Sequence, residues 1–347
     1  MSEKLVLEQH LETWAGTDEL RRAAASTLTA LATACRDIAA IVAAGPLAGK
    51  LGAHVGDATG GDIQTELDVR ANELLVEALQ AAPVAAVASE EMDAPKILTP
   101  GAPVVVALDP LDGSSNIETN VSIGTIFSLL PTPPGSGGTE PAAFLRAGRE
   151  QIAAGYVIYG PQTALALTLG AGTDIFTFDP AHGRFVRTSA HIRIPPHARE
   201  FAINASNYRH WDAPVRTWFN DCLAGAEGPR GDNFNMRWIA SMVVEAHRIL
   251  VRGGVYFYPG DARQGYRNGR LRLVYEANPI AFLMEQAGGA ASTGYERILD
   301  RTPRLLHERV PLLFGAREEV ERIERYQLGQ SPKGETSPLF ARRGLFV

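Results

Sequence analysis

Apolar residues in the first half of the chain switch from a helical period to strand-like runs. Between Glu19 and Ala44 an Ala-rich stretch carries Leu28, Leu31, Ile38 and Ile41 at helical spacing. Thr17-Asp18-Glu19 offers an N-cap and first-turn acids, and Gly45-Pro46 is a stop. This predicts a long core-facing helix. A second helix is expected over Val69–Leu79, with Asp68 as its N-cap. Short apolar runs then predict strands at Val84–Ala88, Val104–Leu108 and Ser122–Leu130. The middle run, mostly β-branched, reads as a strand buried on both faces. Segments 151–159, 164–169 and 174–179 read as an antiparallel meander with turns at Gly160-Pro161 and Gly170–Gly172.

In the second half a strand is expected over Glu200–Trp211. A helix from about Ser241 ends at Gly253-Gly254, and a strand covers Val255–Pro259. Another strand covers Arg270–Glu276. A helix follows Asn278-Pro279 and closes at Gly288-Gly289. The prolines around Ile194-Pro195-Pro196 mark a boundary between a domain at 1–193 and one at 194–330, followed by a polar tail at 331–347. A length of 347 residues agrees with two domains. Hydrophobic content of 45% with 21% charged residues is an ordinary globular mix. A net charge of −6 argues against nucleic acid as a partner. The two cysteines, Cys35 and Cys222, form no disulfide framework. The charged N-terminus lacks a signal-peptide core, and no apolar run reads as long enough to span a bilayer. A cytoplasmic protein with no membrane contact is the expectation.

The chemistry gathers where strands end. The run Val104–Leu108 stops at Asp109-Pro110, with Asp112 close behind and then Gly113-Ser114-Ser115-Asn116. Proline removes a ladder donor, so the two carboxylates converge across a turn. The Gly-Ser-Ser-Asn segment presents backbone N–H groups and hydroxyls to an anion. Asp-Pro and Asp-Gly are ordinary turn formers, so the two aspartates alone weigh about evenly between a plain turn and a site. Glu90 and Glu276, each at an expected strand end, tip the balance. Four such acids suit two or three Mg²⁺ ions facing a phosphate. Competing chemistries fail on spacing. Gly45–Lys50 is no nucleotide loop, because Leu51 stands where Ser or Thr is needed. Neither cysteine has an arginine six residues on, and there is no zinc HExxH.

Asp109-Pro-Leu-Asp112-Gly-Ser-Ser-Asn116 with Val121–Phe127 behind it resembles class I fructose-1,6-bisphosphatase, a family of the lithium-sensitive inositol-phosphatase-like superfamily. The resemblance runs through Gly61-Asp62, Leu67-Asp68, Ser89–Glu91, Ala153–Gly160, Trp211–Pro214, Ser241–Val243, His247–Gly254, Tyr258-Pro259, Leu271–Pro279 and the tail Ser337–Phe346. It implies a layered α-β-α-β-α sandwich of the sugar-phosphatase type with two domains. It implies removal of the 1-phosphate of fructose 1,6-bisphosphate, in gluconeogenesis or the Calvin cycle, by in-line attack of water. Glu90, Asp109, Asp112, Glu276 and the Leu111 carbonyl would hold two or three Mg²⁺ ions, with Mn²⁺ able to substitute. Asp112, Gly113, Ser114 and Ser115 would cradle the 1-phosphate. Asp68 and Glu91 would orient or deprotonate water, helped by Asp62 in a mobile loop. Asn204, Tyr208, Tyr258 and Arg270 would line the 6-phosphate end. Arg237 would reach into a neighbouring subunit of a homotetramer.

Departures from the family pattern carry information too. Trp238 stands where a tyrosine is usual and Arg270 where a lysine is usual. This leaves sedoheptulose-1,7-bisphosphatase activity, alone or shared, as the alternative. Inositol monophosphate hydrolysis and a non-catalytic sensor of the same fold rank lower. The family's AMP-binding positions are Arg21–Ala25, Pro103-Val104 and Pro131 here, which implies insensitivity to AMP. The cysteine-bearing redox loop of chloroplast relatives is missing.

Overall fold

A computed structural model describes residues 5–57 and 63–330. The chain opens with helices α1 (Leu7–Ala15) and α2 (Glu19–Ala44). Asp18 caps α2 by accepting from the Arg21 N–H. Strands β1 (His54–Asp57) and β2 (Ile63–Thr65) pair antiparallel ahead of α3 (Glu66–Gln80). The expected cap is corrected here. Thr65 caps α3, and Asp68, one turn in, completes a capping box by accepting from Thr65 N–H. An acid three residues after a threonine satisfies the helix end from inside.

Strands β3 (Val84–Ser89), β4 (Lys96–Ile97), β5 (Val104–Asp112), β6 (Ile123–Pro131), β7 (Ala153–Tyr159), β8 (Thr163–Thr168), β9 (Thr173–Asp179) and β10 (Arg184–Ser189) form one eight-stranded sheet. Its order is β10-β9-β8-β7-β6-β5-β3-β4. The meander pairs antiparallel, while β3 and β5 run parallel at the centre of the site. Alternation along β5 sends Val104, Val106 and Leu108 toward α1–α3, and Val105 and Ala107 to the opposite face. The strand does not stop at Asp109. It continues to Asp112 through a bulge, because β6 stays alongside it.

β11 (Glu200–Ala202), α4 (Ala213–Leu223), β12 (Asn235–Met236), α5 (Met242–Arg252) and β13 (Val255–Tyr258) open the second half. They are followed by β14 (Leu271–Arg272), α6 (Asn278–Gln286), β15 (Ala290–Ser292), β16 (Arg309–Val310), β17 (Leu312–Gly315) and α7 (Arg317–Gln327). A five-stranded sheet runs β12-β11-β13-β17-β15, and β14 pairs with β16. One core packs α5 and α6 between the two sheets; another packs α4 and α7 on the outer face of the smaller sheet. The order is therefore helix, sheet, helix, sheet, helix, as expected.

Two strand expectations fail. After Ala202 the chain turns into a 3-10 segment, Ala205–His210, which Asn204 caps with its own side chain. Only Leu271–Arg272 is strand, and Leu273–Ala277 is a π-helical turn running into α6. Apolar residues every second position there mimic a strand, but all of Leu273–Ala277 is buried. The expectation about membrane-length segments is corrected as well. Glu19–Ala48 is long and apolar enough by length and composition, because alanine counts as apolar. Here Leu28, Leu31, Cys35 and Ile38 bury one face of α2 in the first core.

Candidate active site

Parallel pairing of β3 and β5 sets Ser89 beside Leu108, and the Glu90 N–H donates to the Leu108 carbonyl at 3.0 Å. Glu90 therefore leaves its strand next to Asp109. The π-helical turn brings Glu276 from the other half of the chain. Carboxylate oxygens of Glu90, Asp109 and Glu276 all lie within 4.8 Å of one another. Asp109 and Glu276 are buried. Burial first, then the neighbouring Glu90 and Glu276 charges, push the Asp109 pKa well above the carboxylate range. Burial and Glu90 do the same to Glu276. Asp112 and Glu91 add to the repulsion at Asp109. Three oxygen donors crowded in this way fit a hard divalent cation.

One oxygen of Asp112 is engaged outside the cluster. Its Oδ2 accepts from Ser241 Oγ and from the Val243 N–H, both at 2.9 Å, so it caps α5 from across the molecule. Burial raises its pKa to about 6 against those two bonds. The adjoining phosphate loop is shaped by the same contact. Gly113 has φ 82°, and a Cβ there would lie 2.7 Å from Ser241 Cβ. Ser114–Asn116 form a single 3-10 turn, with Ser115 exposed. Asn116 Nδ2 donates to the carbonyls of Ile239 and Ala240 at 3.2 Å, tying this loop to the segment that carries Arg237.

The expected water-handling residues separate. Glu91 Oε2 accepts from Gln64 Nε2 at 2.5 Å and feels Asp109. Asp68 is occupied with Thr65, at 2.6 Å from its N–H and 2.7 Å from its Oγ1, and burial raises its pKa. It is not part of the acid cluster among the described residues. Asp62 lies outside them, as does the tail motif.

At the sugar end, Tyr258 has its pKa raised by burial, opposed by Arg270 and by a bond from the Asn207 side chain. Arg270 lies 4.9 Å over the Tyr266 ring. Trp238 stacks on Tyr256 at 5.9 Å and 16° and tilts against Tyr258. Tyr208 bonds to Asn220 of α4 instead, and the Asn204 amide oxygen accepts from Ser206. Arg237 is half exposed, with Nε 3.9 Å from Glu200.

Two residues escaped the sequence reading. Asn207 carried no signal beyond its position between Asn204 and Tyr208. Arg272 is 1% exposed, with Nη2 3.5 Å from Glu90 Oε1 and its N–H donating to Glu276. An arginine inside an apolar run, four residues before Glu276, was the available clue.

Comparison with known proteins gives a concordant result. The family model described as fructose-1-6-bisphosphatase, N-terminal domain, matches residues 2–190, and its C-terminal domain matches 194–328. A class 1 fructose-1,6-bisphosphatase of Nitrobacter hamburgensis is 56% identical, covering 100% of this chain and 99% of that protein. One from Xanthobacter autotrophicus is 56% identical, covering 97% and 91%. The crystal structure of Leishmania major fructose-1,6-bisphosphatase in holo form superposes with a TM-score of 0.88. It is 33% identical, over 94% of this chain and 99% of that one.

Proposed function

Because this chain belongs to the fructose-1,6-bisphosphatase family, we propose that it hydrolyses the 1-phosphate of fructose 1,6-bisphosphate, giving fructose 6-phosphate and inorganic phosphate. The observation that carries this reading is the Glu90–Asp109–Glu276 cluster beside the Gly113–Asn116 loop. The cluster is the place for Mg²⁺, two or three ions, with Mn²⁺ as substitute and the Leu111 carbonyl as a further donor. A cation there would neutralise phosphate oxygens and lower the pKa of a bound water. Gly113, Ser114 and Ser115 take the 1-phosphate with N–H and O–H donors. Water adds to the phosphorus as the ester P–O bond breaks, and the departing sugar oxygen takes up a proton. Glu91, beside the cluster, orients that water. Asp68, engaged with Thr65, acts by fixing the start of α3, and Asp62 joins from the preceding loop.

Tyr258 and Arg270 hold the 6-phosphate end, with Asn204 and Tyr208 on the neighbouring turn bonded to Ser206 and Asn220. Arg237 serves a neighbouring site in a homotetramer. Exposed Met236 and Ile239 flank it and support an intersubunit face. The protein acts in the cytoplasm. AMP does not inhibit: Asp18 already takes the Arg21 N–H, and a carboxylate at that helix end repels a phosphate. Trp238 beside Tyr258 favours a second reading, shared action on sedoheptulose 1,7-bisphosphate.

Phosphate release is the test. The purified protein is given fructose 1,6-bisphosphate, sedoheptulose 1,7-bisphosphate and inositol 1-phosphate with Mg²⁺, then with excess chelator. Release from the first, stopped by chelator, is expected. Release from inositol phosphate alone would sink the assignment.

A further inference from the structure

Behind the acid turn lies a chain of buried hydroxyls that the proposed reaction does not use. β5 and β6 pair Asp109 with Ile126 and Asp112 with Gly124, so Pro110 and Leu111 stand opposite the single residue Thr125. The mismatch takes the Pro110 carbonyl out of the regular ladder. Thr125 Oγ1 donates to that carbonyl at 2.8 Å. A threonine has one hydroxyl hydrogen, and this one is committed. In the 2.8 Å contact between Thr125 Oγ1 and Tyr159 Oη, the tyrosine must therefore donate. The Cys35 thiol of α2 lies beside both hydroxyls. Thr125, Tyr159 and Cys35 are 0%, 2% and 0% exposed. Burial pushes Cys35 up to about 12 and Tyr159 well above its usual value, so both keep their protons at neutral pH.

We propose that Thr125 and Tyr159 are positioning residues for the metal turn. They fix the Pro110 carbonyl, and through it the direction in which Asp109 and Asp112 project from the bulged end of β5. The inference rests on reading Glu90, Asp109 and Glu276 as a metal site. A plain packing role is the competing explanation, since Tyr159 belongs to the first core and Thr125 is fully buried. The two roles differ in what a deletion changes. A packing residue alters stability with or without metal. A positioning residue alters metal affinity, and outer-shell partners of metal sites typically change it about 10–100-fold.

The experiment compares Thr125→Val, Thr125→Ser and Tyr159→Phe with the full-length parent. Mn²⁺ affinity is measured by calorimetry without substrate, alongside thermal unfolding in chelator. Thr125→Val is expected to weaken Mn²⁺ binding at least tenfold, Tyr159→Phe less, and Thr125→Ser to restore parental affinity. Parental affinity in both Thr125→Val and Tyr159→Phe overturns the proposal. So does a fall in metal-free stability with no change in affinity. If Thr125→Val fails to fold, Tyr159→Phe decides by the same criteria. Glu276→Gln is the control for the premise: undiminished Mn²⁺ binding in that variant would overturn the metal site itself, independently of Thr125.

Discussion

Replacing Glu276 by glutamine removes a charge while keeping shape, including an oxygen that accepts from the Arg272 N–H. The carboxylate oxygens of Glu90, Asp109 and Glu276 sit within 4.8 Å of one another. At an effective dielectric of about 20, two full charges at that separation repel by about 3.5 kcal/mol. The metal-free protein cannot sustain that for every pair. It takes up protons, as the raised pKa values of Asp109 and Glu276 state, and Arg272 offsets part of the charge at Glu90. What remains for Glu276→Gln to relieve is about 1–3 kcal/mol at pH 8. The assay is unfolding in excess chelator, repeated with Mg²⁺ or Mn²⁺. In chelator the variant is expected to melt a few degrees above the parent. With metal, the parent gains stability and the variant does not.

The pH axis gives an independent check. For a carboxyl whose folded pKa is raised, the native state holds more protons than the unfolded one between the two values. Its stability contribution therefore falls as pH rises through that window. For Asp112 the window runs from 3.8 to about 6, and for Asp109 and Glu276 it extends higher. Metal-free parent protein should gain stability on acidification from pH 8 toward 6, with a shallower slope in Glu276→Gln. A variant less stable than the parent in chelator, yet still stabilised by metal, would refute the electrostatic account of the cluster.

Other outcomes follow from single contacts. Asp112→Ala removes the remote cap of α5 and should cost about 1–2 kcal/mol in chelator melts, whereas Asp112→Asn keeps an acceptor and should cost less. Both should lose turnover; equal stability of the two would speak against the capping role. Gly113→Ala adds a Cβ 2.7 Å from Ser241 at φ 82° and should weaken competitive inhibition by inorganic phosphate at least tenfold, with wild-type inhibition counting against the cradle. AMP at millimolar concentration should leave the rate unchanged, and micromolar inhibition would overturn the reading of Asp18 and Arg21.

Half of the acid site was legible because local chemistry announces it. Asp109 follows a β-branched run and precedes a proline, and Glu90 closes a short apolar strand, so the parallel register that sets Ser89 beside Leu108 brings them into one place. The layered fold followed from the family resemblance, and within it the alternating faces of β5 could be read directly. The rest depended on contacts between distant segments. Glu276 looked like a strand end because Leu271, Leu273 and Tyr275 alternate with other residues. A π-helical turn delivers it instead, and that turn is held by tertiary packing on every side. The sequence assigns Asp112 to the cation and the 1-phosphate but not to α5, since nothing near it in sequence reveals that α5 lacks a cap of its own. Arg272 shows the same limit from the opposite sign. Alternation would send it to solvent, yet it is buried, because the negative charge that makes an inward arginine favourable comes from Glu90 at the end of β3. Each half of the chain thus supplies charges that make sense only against the other. That is why the sites within one strand could be read from spacing, while the electrostatic balance across the two halves required the fold.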